Sequence, residues 1–303
     1  MCNMKIIKPK KLQKGDTIGI LAVSGAIKDI ENIKKAKAYF ESCGFNVVIS
    51  DTCKTSHNYM AGTCEDNCVS SLHDFFLNKE INAILCARGG YGTLRLINKI
   101  NWDVVKNNPK IFAGYSDITV LLNLILKKTG LITFHSPMAN GDFAENIEKY
   151  TSQKFFDCLE GKTHKIESYG ETYYEGRTEG ILWGGNLSSL VSLCGLDFIP
   201  DKDLILFIED LNEPIYKIDK MITQLFNIEK IKKNVRGIAI GEFKDCDKRE
   251  LKIFLKEFAD NHKIPICDGF KITHDKIKDT IPIGIKSTLN ANTGTIEFKE
   301  EIF

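Results

Sequence analysis

The sequence carries almost no net charge and has no long apolar run. Its 303 residues include 41 basic and 40 acidic side chains, for a formal charge of +1. Binding to nucleic acid or to a membrane surface would need a basic patch, so neither partner is expected. No apolar window reaches the length of a transmembrane helix. Residues 1–14 contain no apolar core of signal-peptide length, and we therefore expect a cytoplasmic protein.

Cysteine pairs with metal-binding spacing are also missing. The ten cysteines are scattered, which is typical of reduced thiols in a cytoplasmic protein. One loose cluster contains Cys53, His57, Cys64 and Cys68, and it ends in a C-x3-C pair. Zinc sites usually show C-x2-C pairs, so this spacing does not favour a metal. We expect no metal and no cofactor, and we assign no role to Cys53, Cys64 and Cys68.

Two common catalytic signatures are incomplete. The G-x-S-x-G turn of α/β-hydrolases would need a second glycine where Ile118 stands, although Gly114 fits the first. The stretch "RGGYG" at 88–92 lacks the G-x-G-x-x-G pattern of dinucleotide binding, and Asp103 comes too early to bind a ribose. An ordinary α/β-hydrolase and a dinucleotide-binding enzyme are therefore both disfavoured.

Short apolar strands alternate with amphipathic helices through the first half of the chain. Such alternation predicts parallel βαβ units, and the unbroken apolar strands predict a sheet that is covered on both faces. The predicted strands cover 16–25, 45–50, 81–87 and 110–115, and the predicted helices cover 30–44, 65–78, 93–100 and 117–130.

The alternation stops between about 143 and 180, where the chain is polar and has no long apolar run. We place the domain boundary there. The second half is again mixed, with an apolar strand over 204–210. The sequence thus predicts an α/β protein with an N-terminal domain over 1–155, a linker over 156–177 and a C-terminal domain over 178–303.

Ser116, in "FAGYSDIT", lies between a predicted strand and a predicted helix. It has two interpretations. Serine is a preferred helix N-cap. A serine on a tight strand-to-helix turn is also placed as a nucleophile, because the helix N-terminus offers N–H groups to developing negative charge.

A serine nucleophile needs a base, and the base needs an orienting carboxylate. His135 in "TFHSP" and His274 in "KITHD" both lie at strand ends, and either could serve. The strand "LILFIED" runs into Glu209 and Asp210, and a carboxylate at the end of a buried strand is costly unless it is paired. The glycines at 88–92 would let the backbone approach a ligand closely, as an oxyanion loop or as a tight turn.

Several longer stretches together resemble the LD-carboxypeptidases, a family of serine peptidases that includes the microcin C immunity peptidases. They span about residues 12 to 290 in the family's order: "ILCARGGYGTLRL", "NNPKIFAGYSDITVLLN", "GLITFHSPM", "GILWGGNLSSLVSLCG", "LFIEDLNEPIYKIDKMITQL" and "ITHDKIKDTIPIG". The resemblance implies an N-terminal domain like that of class I glutamine amidotransferases, a swivelling C-terminal β/β/α domain, and an active site in the cleft between them.

The resemblance also implies roles for individual residues. It places the nucleophile at Ser116, the carboxylate at Glu209 and the base at His274, and so chooses His274 over His135. The implied oxyanion hole uses the backbone N–H of Asp117 with that of Gly90 or Gly89. Three further residues become candidates for substrate binding: Arg88 for a terminal carboxylate, His135 for the pocket lining, and Trp183 as an aromatic platform.

The substrate implied by the family is a muropeptide tetrapeptide, from which C-terminal D-Ala is released during peptidoglycan recycling. The alternative is hydrolysis of aminoacyl-nucleotide antibiotics, as in microcin C immunity. A non-catalytic muropeptide sensor is a more distant possibility. Dimers are common in the family, so a homodimer is expected.

Overall fold

Two sheets organise the chain, as the two runs of apolar strands predict. The structure is a computed structural model that describes residues 4–303. Its strands are β1 (Thr17–Leu21), β2 (Asn46–Ile49), β3 (Ser56–His57), β4 (Met60–Ala61), β5 (Ala83–Cys86), β6 (Ile111–Gly114), β7 (Thr133–His135), β8 (Lys165–Glu167), β9 (Thr172–Tyr174), β10 (Arg177–Asn186), β11 (Leu204–Leu211), β12 (Val235–Lys244), β13 (Ile266–Cys267), β14 (Ile281–Ile283), β15 (Lys286–Asn290) and β16 (Thr295–Phe298).

The α-helices mostly cover the faces of these sheets. They are α1 (Ile30–Ser42), α2 (Glu65–Leu77), α3 (Trp102–Asn107), α4 (Thr119–Thr129), α5 (Lys149–Leu159), α6 (Leu187–Val191), α7 (Ile215–Phe226), α8 (Glu229–Asn234) and α9 (Lys248–His262). No helix within residues 4–303 is long and apolar enough to cross a bilayer.

The first sheet has the order β14-β7-β6-β5-β1-β2, and all its pairs are parallel except β14 with β7. β2 and β5 lie on opposite sides of β1, so the strand order switches direction between β1 and β5. Ligands of open α/β sheets bind at the carboxyl ends of the strands beside such a switch point. The loops that follow β1, β5 and β6 meet at this end of the sheet.

The second sheet has the order β8-β16-β15-β10-β11-β12-β13-β9, with β10 to β13 parallel. A parallel-sheet N-terminal domain and a separate C-terminal sheet domain confirm the predicted α/β class. The segment expected as a linker, 156–177, contains β8 and β9, which form the two edges of the second sheet.

Helix α4 joins the two domains. It is buried on nearly every side, as an almost wholly apolar helix must be. Asn123 on α4 donates a hydrogen bond to the carbonyl of Gly184 on β10, and Thr119 Oγ1 accepts one from the N–H of Asn186. Asn186 is the register partner of Glu209 on β11. The helix that follows Ser116 is therefore fixed against the strands that carry Glu209.

The helix predicted over 93–100 is wrong. Only a 3₁₀ turn forms over Thr93–Arg95, and a new helix, α3, begins after Asn101. Two local bonds explain the break. The N–H of Thr93 binds the carboxylate of Asp117, and the side chain of Asn101 caps α3 through the N–H of Asp103.

Candidate active site

Ser116 stands in a tight turn at the end of β6. Its φ of 62° lies in the left-handed region, which is uncommon for a residue other than glycine. Such strain concentrates at functional sites. Helix α4 begins at Thr119 with Ile118 at its cap position and has no side-chain capping bond, so Ser116 is not the cap of α4. Its side chain is partly exposed.

Gly89 places the glycine-rich loop against Ser116. A Cβ at Gly89 would lie 2.7 Å from Ser116 Cβ and 2.9 Å from Ser116 Oγ, so no larger residue fits here without a shift. The same position is 3.3 Å from the backbone nitrogen of Asp117. The loop and the serine turn are thus in direct contact at the carboxyl ends of β5 and β6.

The side chain of Asp117 holds these two turns together. Its Oδ2 accepts hydrogen bonds from Ser24 Oγ at 2.6 Å, from Thr93 N at 3.0 Å and from Thr93 Oγ1 at 3.0 Å. Burial raises the pKa of Asp117, and these hydrogen bonds act against that rise. Thr93 closes the glycine-rich loop, so one buried carboxyl group fixes the loop relative to the serine.

Glu209 and His274 form a hydrogen-bonded pair. Glu209 lies on the fully buried strand β11, and its Oε2 is 2.6 Å from His274 Nδ1. His274 Nε2, on the opposite edge of the ring, has no hydrogen-bond partner among residues 4–303. A histidine that donates Nδ1–H to a carboxylate keeps a lone pair on Nε2, the arrangement of a general base.

Asp210 has a different role from its neighbour. Its carboxylate accepts hydrogen bonds from Asn186 Nδ2, from the N–H of Leu211 and from the N–H of Ser188. These contacts anchor the start of α6. Of the two carboxylates at the end of β11, only Glu209 pairs with a histidine.

Tyr115 contacts the histidine of this pair and directly precedes Ser116. Its ring meets the ring of His274 edge-on, with centroids 4.9 Å apart. The residue that precedes Ser116 in the first domain therefore contacts the histidine of the second. Burial raises the pKa of Tyr115 well above its usual value, and Asp142 and Glu209 add to the rise. Tyr115 was not among the residues predicted for the site, although it forms part of "GYSD".

His135 also reaches Tyr115, with ring centroids 5.8 Å apart, but it has no carboxylate partner. Its ring packs on Phe207, and its buried Nδ1 has no hydrogen-bond partner in the described chain. Burial lowers the pKa of His135 to about 3, helped by the charges of His274 and Lys278. The structure places His135 behind Tyr115, in the interior.

Arg88 and Gly90 lie on the same loop as Gly89. Arg88 is half-buried, and its Nη1 donates to the carbonyl of Ala26 at 2.8 Å. It forms no ion pair with any residue of the range 4–303. Gly90 is exposed and has a φ of 118°, which favours glycine. Within residues 4–303, a cation without a carboxylate partner thus lies on the loop whose Gly89 contacts the serine turn.

Trp183 is not available to a ligand. It lies on β10 with no exposed surface, and its ring packs 5.7 Å from that of Phe198. The expectation of an aromatic platform at Trp183 is corrected here: β10 is buried on both faces from residue 180 to 186, so this side chain lies in the core.

The loose cysteine cluster shows no metal-binding geometry. Among residues 4–303, no group of three or more His, Cys, Asp or Glu side chains is placed to hold a metal. Cys53 and Cys68 are buried, and burial raises their thiol pKa values to about 12 and about 11. Cys64 is exposed. The first two thiols are therefore protonated at neutral pH and pack as small apolar side chains.

The family is decided by sequence profiles. The LD-carboxypeptidase N-terminal domain matches residues 18–136, and the LD-carboxypeptidase C-terminal domain matches residues 179–289. The chain belongs to the LD-carboxypeptidase family. Together the two matches contain Ser116, Glu209 and His274, and they cover most of both sheets. The family is one of peptidases.

Individual relatives agree over nearly the whole chain. A probable murein peptide carboxypeptidase of Bacillus subtilis is 36% identical, covering 96% of this chain and 94% of its own. The crystal structure of an MccF-like protein from Bacillus anthracis superposes with a TM-score of 0.88 at 28% identity, covering 96% and 98% of the two chains. A muramoyltetrapeptide carboxypeptidase from Oxalobacter formigenes gives a TM-score of 0.81 at 26% identity, covering 92% and 97%.

Proposed function

We propose that this peptidase releases the C-terminal D-Ala of muropeptide tetrapeptides, with Ser116, Glu209 and His274 as its catalytic triad. The proposal depends most on the bond of 2.6 Å between Glu209 and His274, which leaves Nε2 without a hydrogen-bond partner among residues 4–303. The ring of His274 also contacts Tyr115, the residue before Ser116. The names of the Bacillus subtilis and Oxalobacter formigenes relatives support this substrate class. The proposal includes a place in peptidoglycan recycling in the cytoplasm, and a homodimeric state.

In the first step, His274 Nε2 takes the proton of Ser116 Oγ while Oγ attacks the carbonyl carbon of the amide before D-Ala. Glu209 orients the imidazole and stabilises the imidazolium that forms. Collapse of the tetrahedral intermediate breaks the C–N bond, and His274 protonates the departing amine of D-Ala. Water, deprotonated by His274, then hydrolyses the ester on Ser116.

The negative charge on the substrate oxygen needs hydrogen-bond donors that are already in place. The N–H of Asp117 and an N–H of Gly90 or Gly89 are proposed for this role, because Gly89 abuts both Ser116 and the nitrogen of Asp117. One such donor contributes about 3–4 kcal/mol to lowering the barrier. The side chain of Asp117 stays engaged with Ser24 and Thr93 and takes no part in proton transfer.

Release of a single C-terminal residue requires recognition of its carboxylate. Arg88 is proposed for this, because its guanidinium lies beside the glycine-rich loop and has no carboxylate partner in the described chain. Guanidinium groups bind carboxylates in a bidentate manner. Arg88→Lys should therefore raise KM more than it lowers kcat, because the ammonium group of a lysine cannot form the two parallel hydrogen bonds of a guanidinium.

The second candidate is hydrolysis of aminoacyl nucleotides. The likeness to the MccF-like protein favours it. A nucleobase would need an exposed aromatic platform, and the expected one, Trp183, is enclosed in the core. This is why we place the murein substrate first.

Purified protein incubated with three compounds in parallel separates the two candidates. These are a disaccharide tetrapeptide, the matching pentapeptide, and an aminoacyl sulfamoyl adenosine, with products identified by mass spectrometry. We expect free D-Ala from the tetrapeptide and little turnover of the others. Turnover of the nucleotide alone would replace the murein substrate with the second candidate. No turnover of any compound would contradict both.

A further inference from the structure

A buried ion pair lies beside the proposed triad. Lys278 Nζ is 2.7 Å from Asp142 Oδ1, and the two side chains are only 3% and 11% exposed. Lys278 belongs to the loop over 271–280, which carries His274 and runs from the second sheet to β14. Asp142 belongs to a single π-helical turn of the first domain, Ala139–Phe143, and its other oxygen accepts the N–H of Met138 at 2.9 Å.

The ammonium group of Lys278 also lies over the ring of Tyr115, 4.2 Å from its centroid. A cation over an aromatic face is attracted by the ring, and more strongly where water is excluded. Tyr115 in turn contacts His274 and is bonded to Ser116. One ammonium group is thus fixed by Asp142 and packs on the residue that touches both members of the proposed nucleophile–base pair.

A buried ion pair adds little net stability, because desolvation offsets the attraction between the charges. Its definite contribution here is geometric. Misplacement of reacting groups by about 1 Å can reduce a rate about 100-fold. We propose that Lys278, held by Asp142, is a positioning residue that sets Tyr115 and thereby the approach of Ser116 to His274. The proposal rests on the triad proposed above.

Other bonds fasten the loop over 271–280 without touching Tyr115. Thr151 Oγ1 donates to the carbonyl of Lys276 at 2.6 Å and accepts from the N–H of Lys278 at 3.0 Å. Tyr150 donates to Asp279 at 2.9 Å. The exposed pair Lys244–Asp275, at 2.7 Å, ties the loop to β12. Loss of one of these should loosen the loop but should not act through Tyr115.

The experiment compares Lys278→Met with Lys244→Met, which removes the same charged group from an ion pair at the surface, between β12 and the same loop. Two rates are measured for each variant: kcat for D-Ala release, and the rate constant for labelling of Ser116 by a fluorophosphonate. The label forms an Oγ–P bond and expels fluoride, so it reports activation of the serine whatever the natural substrate is. We expect Lys278→Met to lower both rates about 10- to 100-fold with KM within about 3-fold. Lys244→Met should keep both within about 2-fold.

The double variant Asp142→Asn/Lys278→Met separates positioning from stability. Removal of both charges should restore the melting temperature that either single variant loses, because no unpaired buried charge remains. The two rates should stay low, because no ammonium group lies over Tyr115. Rates that recover with the melting temperature would show a merely structural role and overturn the proposal.

Three further outcomes are distinct from one another. Equal rates in wild type and Lys278→Met would overturn the positioning role of Lys278 while leaving the triad intact. Labelling of wild type at a residue other than Ser116 would overturn the triad and, with it, the positioning role. Absence of D-Ala release together with rapid labelling of Ser116 would contradict only the murein substrate, and the labelling rates would still decide the role of Lys278.

Discussion

Two histidines face the same tyrosine from two domains, and they differ in one partner. His274 and His135 both contact the ring of Tyr115, at 4.9 and 5.8 Å between centroids. His274 binds Glu209 through Nδ1, whereas Nδ1 of His135 has no partner in the part of the chain that is described. Both histidines therefore contact the residue that precedes Ser116. The bond to the carboxylate of Glu209 distinguishes His274, the proposed base, from His135.

The two environments have opposite electrostatic consequences. A general base must hold the proton that it takes, and in the proposed mechanism Glu209 stabilises the imidazolium of His274 while that proton is held. Around His135, burial lowers the pKa to about 3, so this ring stays neutral at physiological pH. A histidine that resists protonation is a poor acceptor for the serine proton.

The comparison is tested most strongly by His274→Ala. Loss of a triad histidine typically costs about 10⁴-fold or more in kcat, because no other group takes the serine proton. We expect this loss together with a lower unfolding midpoint, since the substitution leaves the buried carboxyl group of Glu209 without its partner. Steady-state D-Ala release and a urea titration give the two quantities. Activity within about 10-fold of wild type would move the base elsewhere.

Glu209→Gln makes His274 resemble His135, because the charged partner is lost while the shape is kept. We expect kcat to fall about 10³- to 10⁴-fold, since an amide neither fixes the same tautomer nor stabilises the imidazolium. Asp210→Asn is the matched control on the same strand, as the Asp210 carboxylate accepts hydrogen bonds from Asn186, Ser188 and Leu211 and, among residues 4–303, from no histidine. An equal loss of kcat in both variants would show that strand β11 was disturbed as a whole.

Gly89→Ala would displace Ser116 from both histidines at once. The added Cβ would lie 2.9 Å from Ser116 Oγ, so the serine or the loop must move. We expect kcat to fall about 100- to 1,000-fold, as when an oxyanion donor is lost. Gly141→Ala is a suitable control, because a Cβ there meets no atom within 4 Å. Full activity of Gly89→Ala would contradict the close contact of loop and serine.

His135→Leu should have the smallest effect on catalysis, with kcat within about 10-fold of wild type. Its effect on stability should depend on pH. The pKa of His135 is near 6.5 when unfolded and about 3 when folded, so the unfolded chain binds the proton first as pH falls. The stability from the neutral ring is therefore present above pH 6.5 and is lost as pH falls towards 3. Between pH 7 and 5 the wild type should lose on the order of 2 kcal/mol more than the variant. Parallel urea curves for the two proteins at both pH values would contradict the neutral, buried ring.

Much of this arrangement follows from local sequence. Apolar runs and helical spacing predict β1, β5, β6 and β11, and "GYSD" and "FIED" mark residues at the ends of strands. The hydrophobic pattern indicates which strands are buried and parallel. The loops that follow parallel strands lie at the same edge of the sheet, so their meeting is also predicted. From the residues alone, however, His135 and His274 remained equivalent, and only the family resemblance chose between them.

The remaining features depend on contacts between distant residues. Pairing of β14 with β7 brings the loop of His274 onto the first domain, across nearly 150 residues of sequence. Lys278 and Asp142 meet for the same reason, and neither stands out in its own segment. The predicted role of Trp183 was wrong because a tryptophan next to glycines is typical both of a ligand-binding surface and of a buried strand.

Release of D-Ala from a disaccharide tetrapeptide, followed by mass spectrometry for wild type and Ser116→Ala, tests the central claim most directly. Ser116 Oγ is the proposed attacking atom, and its removal adds no bulk to the turn that contacts Gly89. We predict free D-Ala from the wild type and none above a blank from Ser116→Ala, with the two proteins equally folded by circular dichroism. Release of D-Ala by Ser116→Ala at a rate close to that of the wild type would contradict the assignment of Ser116 as the nucleophile.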